Sequence, residues 1–259
     1  MKHEALQTPI TPQKHHVRAD PDKSNAPSLP PHLIGVSLYE VAARGDIEEV
    51  RAVLNTKVDI VAQEDDFFGN PLQVASTHGH IAVVRLLLEK GADVNAQGGH
   101  YGNALQAASY VGYEAVVRLL LKEGADVNAQ GGIYRNALKG ASVKGEEAVV
   151  RLLLEKGADV NAQGGLYGNA LQAASSMGRE AVVRLLLEKG ADVNAEGGYY
   201  GHALQVALIG GHEALVRLLL EKGADVNAQG GQYGNALQAA SFIGNQAMVQ
   251  LLRAHGARP

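Results

Sequence analysis

The sequence predicts an all-α fold in which short helix pairs stack into a solenoid. The main observation is a repeat with a period of 33 residues, as measured from Tyr101 to Tyr134. Each copy holds two apolar stretches separated by a glycine, and most copies close with a second glycine and a polar segment. Self-similarity of this kind indicates units that bury their apolar faces only against each other. Copies of the string Tyr-Gly-Asn-Ala-Leu-Gln-Ala-Ala-Ser begin at Phe68, Tyr101, Tyr134, Tyr167, Tyr200 and Tyr233.

The first helix of a unit is predicted from its two ends. In the second of these copies, Asn103 is a suitable N-cap and Gln106 follows three residues later, as in a capping box. Gly112 then ends the helix. A second helix is predicted from about Glu114, and Gly124 supplies the left-handed position with which many helices end. The glycine-rich polar segment after it is typical of a hairpin that reverses the chain.

The second helix of each unit carries an apolar run that should face the core. Leu153 lies in the middle of one such run in a central unit, so we expect it to be buried. On the exposed side, arginine and glutamate recur four residues apart, and we expect them to form weak surface pairs. The expected pairs are Arg85–Glu89, Arg151–Glu155, Arg184–Glu188 and Arg217–Glu221.

The chain divides near residue 34. Six of the eight prolines lie in residues 1–33, where apolar residues are sparse, so we expect a flexible tail there. Residues 34–259 form the predicted array. Its first and last units carry polar substitutions that suit caps, so we expect the array to be complete. The seven expected units are 34–67, 68–100, 101–133, 134–166, 167–199, 200–232 and 233–259.

Composition argues against several classes of function. A net charge of -4 and a pI of about 6.2 are unlike those of nucleic-acid binders. The absence of cysteine excludes disulfides, thiolate zinc sites and a cysteine nucleophile. No apolar run approaches the ~18 residues of a membrane span, and the N-terminus has no hydrophobic signal core. We therefore expect a soluble monomer in the cytoplasm or nucleus, with no membrane or nucleic-acid partner and no cofactor.

The repeat resembles the ankyrin repeat. The family motif runs Gly-x-Thr-Pro-Leu-His-x-Ala-Ala, followed by Gly, Val-Val, Leu-Leu, Gly-Ala and Asn. One copy follows it in order, with Phe68-Gly-Asn-Pro-Leu-Gln-Val-Ala-Ser, Gly79, Val83-Val84, Leu86 to Leu88, Gly91-Ala92 and Asn95. Asn and Gln replace the usual Thr and His, a variant similar to arrays common in filamentous fungi. The resemblance implies a solenoid with protruding hairpins, in which hairpins and inner helices form a concave protein-binding face.

Positions that differ between units are the candidates for binding. They lie before the hairpin tyrosine and around the end of the first helix, where the resemblance places the concave face. Aromatic, methionine and arginine side chains are the kinds that anchor interfaces, although relaxed drift at exposed sites would give the same variation. The candidates outside the fourth unit are His78, His100, Tyr110, Tyr113, Met177, Arg179, Tyr199 and Phe242.

The tyrosine that opens each unit repeats with the scaffold. We interpret this series as rings that stack between neighbouring hairpins, because features present in every unit usually serve packing between units. The alternative is an aromatic strip that binds a peptide or a flat ligand.

The fourth unit departs most from the pattern. Arg135, Lys139 and Gly140 replace glycine, glutamine and alanine, and Lys144 follows. The heads of Arg135 and Lys139 can converge at the helix start, where free N–H groups also attract an anion. A carboxylate or phosphate of a partner would find a site there. In the alternative, Lys139 pairs with Glu146 or is solvated, and Gly140 relieves crowding.

Catalysis is not expected. The glycine clusters lack the Gly-Lys-Ser or Gly-Lys-Thr of a phosphate loop. His78, His80 and His100 suggest a metal site only weakly, because acidic partners are not evident, so we expect no metal. The predicted function is a non-catalytic scaffold that binds a protein or peptide on its concave face, an acidic one if the fourth unit is the anchor. The alternatives are an enzyme or small-molecule binder in the groove around the fourth unit, or an engineered consensus-like array.

Overall fold

The computed structural model describes residues 29–56, 58–60 and 67–258. In these residues a short 3-10 turn at Pro31–Leu33 is followed by fourteen α-helices in seven consecutive pairs, which confirms the predicted all-α solenoid. None of the helices in the described part is long and apolar enough to cross a bilayer. The helices are Leu38–Arg44 (α1), Ile47–Leu54 (α2), Pro71–Thr77 (α3), Ile81–Glu89 (α4), Ala104–Val111 (α5), Glu114–Lys122 (α6), Ala137–Lys144 (α7), Glu147–Glu155 (α8), Ala170–Ser176 (α9), Glu180–Glu188 (α10), Ala203–Ile209 (α11), Glu213–Glu221 (α12), Ala236–Phe242 (α13) and Gln246–Ala254 (α14).

The first helix of most pairs begins where a polar side chain caps it. The side chains of Asn103 and Asn136 accept a hydrogen bond from the backbone N–H three residues later. Asn70 and Asn169 go further and form the full capping box with the glutamine that follows. These caps satisfy N–H groups that the first turn leaves without intrahelical partners. The positions of the helix starts therefore follow from the sequence.

The odd-numbered helices form the inner layer of the solenoid, and the even-numbered helices form the outer layer. Neighbouring inner helices pack closely, because small side chains such as those of Ala108 and Ala141 are buried between them. Neighbouring outer helices touch at few points. This difference bends the stack, so the inner helices and hairpins line its concave side. Leu153 is fully buried in the core between the layers, as predicted.

Asparagine side chains link the loops of successive units. The side-chain amide of Asn128 donates to the carbonyl of Gly157 (3.1 Å), and its oxygen accepts from the N–H of Asp159 (2.9 Å). These bonds hold neighbouring units at a fixed spacing, and so they position the hairpins that carry the candidate site. The same pair of bonds recurs at Asn95, Asn161, Asn194 and Asn227.

The buried core reaches one residue into the predicted tail. Leu33 is buried with the core of the first unit, and Leu29 is partly buried and packs against that core. The division into a tail at 1–33 and an array at 34–259 stays a prediction, since most of the tail lies outside the described residues.

The outer-layer arginines pair in the opposite direction from the prediction. Arg151 contacts Glu147, four residues before it, at 2.9 Å, and Arg184 contacts Glu180 in the same way. The predicted pairs of Arg151 with Glu155 and of Arg184 with Glu188 are wrong. The positive N-terminal end of the helix dipole stabilises a glutamate in the first turn. A glutamate four residues before a cation also pairs better than a glutamate four residues after it. Exposed pairs of this kind contribute about 0.3–0.5 kcal/mol each.

Candidate binding surface

The candidate surface is the concave side of the solenoid, formed by the inner helices and the hairpins that precede them. Glycines shape the hairpins. Gly98 and Gly102, for example, form an isolated β-bridge, and the backbone of Gly102 has a positive φ of 102°. Large apolar side chains are exposed on these elements, at Phe67, Ile133, Leu166, Met177, Tyr199, Phe242 and Ile243.

Eight aromatic rings form one continuous row that runs from the last residue of the first unit to the fourth unit. Neighbouring ring centroids are 4.6 to 5.8 Å apart, a range in which aromatic pairs attract each other. The row brings together three predicted site residues, His78, His100 and Tyr110. This aromatic row consists, in order, of His80, His78, Phe68, Phe67, His100, Tyr101, Tyr110 and Tyr134.

Tyr110 joins the third and fourth units within the row. Its ring stacks on that of Tyr134 at 4.6 Å and packs on that of Tyr101 at 5.2 Å. The ammonium of Lys144, another predicted site residue, lies 4.7 Å from the centroid of the Tyr110 ring. Burial raises the pKa of the Tyr101 and Tyr134 hydroxyls, and a hydrogen bond with Tyr110 adds to the rise at Tyr134. These hydroxyls stay protonated at neutral pH.

The predicted stacking of hairpin tyrosines on each other differs in detail. Tyr101 and Tyr134 each pack on Tyr110, which the inner helix α5 places between them. The reason is spacing, because packed helices lie about 8–10 Å apart, whereas ring contacts need centroids within about 7 Å. In the described later units the ring contacts are isolated pairs, Tyr199 with Tyr200 and Tyr233 with Phe242.

A small depression of about 190 Å³ lies on the same side, between the fifth and sixth units. Met177 and Tyr167 line it from one unit, and Tyr200 and Ile209 line it from the next. Met177 was predicted as a site residue, and the depression gives it apolar neighbours. The aromatic row and this depression are thus two separate parts of the concave side.

Two further predicted site residues, Tyr113 and Arg179, contact the preceding unit. The ring of Tyr113 covers Gly79 so closely that a Cβ on this glycine would lie 2.8 Å from it. The Nε of Arg179 donates to the backbone carbonyl of Val143 at 3.1 Å. Both residues stand directly before an outer helix, a position that links successive units. A role for Tyr113 and Arg179 in binding stays a prediction.

Buried glutamines join four of the inner helices, α3, α5, α9 and α11, to the hairpin that follows. The capping-box pattern did not predict this contact. The Nε2 of Gln73 donates to the carbonyls of Gly98 (3.2 Å) and Gly102 (3.1 Å), which lie 25 and 29 residues later. The repetition of glutamine at this position is the signal that could have revealed the contact. The same type of bond to a hairpin carbonyl recurs at Gln106, Gln172 and Gln205.

Lys139 takes the place of this glutamine in the fourth unit and is buried, with 2% of its surface exposed. Its Nζ donates to the carbonyls of Gly164 (2.7 Å) and Gly168 (3.1 Å), the equivalent positions of the next hairpin. Burial, and secondarily the charge of Arg135, lowers the pKa of this ammonium to about 8. The alternative of a solvated Lys139 or a pair with Glu146 is therefore wrong.

Arg135 and Lys139 depend on each other. In other units a glycine precedes the cap residue, and a methyl group on Gly102 would collide with the Oε1 of Gln106. Lysine has no such oxygen, so a residue with a Cβ fits before the cap of the fourth unit. Arg135 is that residue. Its side chain is exposed, and in the described part it is the one non-glycine residue with a left-handed backbone, at φ 71°.

Gly140 is not required by crowding. A Cβ at this position would lie 3.6 Å from the Cβ of Tyr110, which is an ordinary contact. Alanine therefore fits, as it does at the equivalent Ala107, and the expectation that Gly140 relieves crowding is wrong. Nothing in the structure explains this substitution.

The histidines belong to the aromatic row. His78 stacks on His80 and packs on Phe68, and His100 stacks on Phe67. Within the described ranges, no group of three or more His, Cys, Asp or Glu side chains is placed to hold a metal ion. His78 and His100 therefore contribute ring surface to the row, whereas the Nε2 of His80 also lies 3.0 Å from the carbonyl of Ala43 in the preceding unit.

Open grooves also run between the outer helices. One of about 550 Å³ lies between α4 and α6, and one of about 450 Å³ lies between α6 and α8. Charged residues in these grooves pair with each other, Arg118 with Glu114 and Arg151 with Glu147. The lining of these grooves repeats from unit to unit, whereas side chains on the concave side differ between units. The concave side is therefore the more distinctive surface.

The helix pairs, the hairpins and the variable inner face define a repeat solenoid of the kind that serves as a binding module. Family models described as ankyrin repeats (3 copies) match residues 38–131 and 105–197, and one described as ankyrin repeats (many copies) matches residues 204–253. The chain belongs to the ankyrin repeat family. Members of this family are generally protein–protein interaction modules and are typically non-catalytic.

The relatives differ in how much of each chain they share. The human ASB11 ankyrin repeat domain matches with a TM-score of 0.73 and 26% identity, over 86% of this chain and 98% of that chain. The human DNA-binding protein RFXANK is 36% identical over 66 residues, which are 26% of this chain and 25% of that protein. The serine/threonine-protein kinase VIK of Arabidopsis thaliana is 48% identical over 56 residues, 22% of this chain and 13% of that one. The chain thus spans a quarter or less of these two curated relatives.

Proposed function

We propose that this protein is a non-catalytic interaction module that binds a protein or an extended peptide on its concave side, with the aromatic row as the main contact. The observation that carries the proposal is the row itself. Eight rings touch in series from the end of the first unit to the fourth, whereas ring contacts in the later described units are isolated pairs. A surface of this kind offers a partner one long apolar strip.

The chemistry of the row suits recognition of a protein. Aromatic side chains dominate interface energetics, because they bury much apolar surface at little cost in conformational entropy. Tyr101, Tyr110 and Tyr134 add hydroxyls that can bond to a peptide backbone, and Lys144 adds a charge beside the Tyr110 ring. The row therefore combines apolar anchors with polar groups that select for orientation.

Other functions have less support. An enzyme or small-molecule site around the fourth unit would use Lys139, but its ammonium is buried and bonded to two carbonyls. DNA binding, the property in the name of the human relative, has little support for this chain. That match covers a quarter of the relative, and a net charge of -4 opposes binding to a phosphate backbone.

Peptide selection followed by two matched substitutions tests the proposal. Peptides that bind the protein are selected from a random display library, and their dissociation constants are measured by fluorescence anisotropy. Tyr110→Ala removes a ring of the row and should weaken binding at least about tenfold, the loss typical of an interface anchor. Ile81→Ala removes an exposed side chain from the groove between α4 and α6 and should change binding less than about twofold.

The opposite ranking would contradict the proposal. If Ile81→Ala abolished binding while Tyr110→Ala had no effect, the outer groove would be the site. His100→Ala provides a second variant in the row, so a loss of stability in Tyr110→Ala would not obscure the result. Thermal unfolding of each variant supplies the control for folding.

A further inference from the structure

Charge is distributed unevenly between the two sides of the solenoid. From residue 67 onward, the hairpins and inner helices contain no aspartate or glutamate, and their charged residues are Arg135, Lys139 and Lys144. The acidic residues lie in the outer helices and the loops, where Glu196 reaches the hairpin of the last unit at Gly230. The concave side of the fourth unit is therefore positive, although the whole chain has a net charge of -4. The segments without acidic residues are 67–78, 98–111, 131–144, 164–177, 197–210 and 230–243.

Arg135 and Lys144 are exposed and keep their N–H donors unused. Neither side chain forms a hydrogen bond or an ion pair with a described residue, although Glu146 lies only two positions after Lys144. The outer layer differs, since Arg151 and Arg184 each pair with a glutamate of the same helix. The two unpaired cations of the fourth unit are thus available to a partner.

The two cations extend in opposite directions along the stack. The ammonium of Lys144 lies over the ring of Tyr110 in the third unit, 4.7 Å from its centroid. The stem of Arg135 lies over the hairpin of the fifth unit, where a methyl group on Gly165 would be 2.9 Å from its Cγ. Their Cα atoms, at the two ends of α7, are about 13 Å apart if each residue rises about 1.5 Å. A partner would therefore meet them with two separate groups.

Stacked rings connect the two cations. Tyr110 lies next to Lys144, its ring centroid is 4.6 Å from that of Tyr134, and Tyr134 directly precedes Arg135 in the chain. An extended peptide advances about 3.3 Å per residue, so side chains about four residues apart match the spacing of the cations. Fixed positive charges beside an apolar strip attract a negatively charged partner and repel a basic one.

We propose that the partner is an acidic peptide, which places one aspartate or glutamate at Arg135 and another at Lys144 while the residues between them cover the rings of Tyr110 and Tyr134. The inference rests on the proposed function and names the class of partner that the concave side selects. Arg135 and Lys144 are called the cationic pair below. Carboxylates bind guanidinium and ammonium groups through charge-assisted hydrogen bonds, which are stronger than neutral ones.

Removal of the two charges tests the proposal on the peptides selected from the random library. These peptides should contain more Asp and Glu than Lys and Arg. The double variant Arg135→Gln, Lys144→Gln keeps both side-chain stems, and its binding should be at least about tenfold weaker, because hydrogen bonds to charged groups are lost. The dissociation constants are compared at about 0.1 M salt, where the Debye length is about 10 Å. At about 1 M salt the Debye length falls to about 3 Å, so the natural protein should lose affinity and the double variant should change little.

Lys122→Gln, Lys156→Gln is the matched control. It removes the same number of charges from exposed positions of the outer layer. Binding to this control should change less than about twofold, because the outer layer is separated from the concave side by more than a Debye length at about 0.1 M salt. Thermal unfolding of both double variants supplies the control for folding.

Two results would overturn the proposal. They are selected peptides without an excess of acidic residues, and an equal loss of binding in the two double variants. Peptides that need Tyr110 but bind the Arg135→Gln, Lys144→Gln variant as tightly as the natural protein would remove the cationic pair and leave the interaction module. Peptides that bind the Tyr110→Ala and His100→Ala variants unchanged would contradict the proposed function itself.

Discussion

Leu153→Ala should destabilise the protein by about 2–5 kcal/mol, the usual cost of truncating a buried leucine. Leu153 has no exposed surface and lies in α8, where the core between the inner and outer layers is closed on all sides. The substitution removes apolar contacts and leaves a cavity that close-packed neighbours fill only in part. Urea unfolding followed by far-UV circular dichroism measures the change.

Leu166→Ala is the matched control for this experiment. It makes the same chemical change at a hairpin residue that is 54% exposed, and it should alter stability by less than about 0.5 kcal/mol. A cost below about 1 kcal/mol for Leu153→Ala would contradict the helix phase on which the whole array depends. Stability is shared between neighbouring units in a solenoid, so the destabilisation of one unit by Leu153→Ala should also broaden the urea unfolding transition.

A double-mutant cycle at Arg135 and Lys139 should show strong coupling. Lys139→Gln alone places an amide oxygen where the Cβ of Arg135 lies, because Gln106 Oε1 occupies the equivalent place beside Gly102. We expect this overpacking to cost about 1–3 kcal/mol. Arg135→Gly in the same chain restores the arrangement of the neighbouring units and should recover most of the loss.

The coupling energy measured by urea unfolding should fall within about 0.5–3 kcal/mol, the range for residues in contact. Arg135→Gly alone should be neutral or slightly stabilising, because glycine adopts the left-handed backbone at lower cost. Additive effects of the two substitutions would show that the side chains do not share this space.

The architecture could be predicted because every unit repeats the same signals. The cap at Asn103, the stop at Gly112 and the apolar run around Leu153 each depend on residues close in sequence, and all three agree with the structure. The direction of the surface ion pairs was missed, since both glutamates lie four residues from Arg151. The sequence spacing alone cannot rank them, whereas the helix dipole does.

The candidate site was less predictable, because its contacts join residues of different units. Gln73 fits a capping box within its own helix, and its second contact lies 29 residues away at Gly102. Lys139 looked exposed for the same reason, since charged residues are rarely buried. The joint change of Gly to Arg135 and Gln to Lys139 in one unit was the signal that these positions touch.

Hydrogen exchange of the protein with and without a selected peptide is the most direct test of the central claim, that the concave side is the binding surface. We expect slower exchange at the hairpin amides of His100 and Ile133 and in the inner helices α5 and α7, with no change in the outer helices α6 and α8. Slower exchange confined to α4, α6 and α8 would place the partner on the outer layer and contradict the claim.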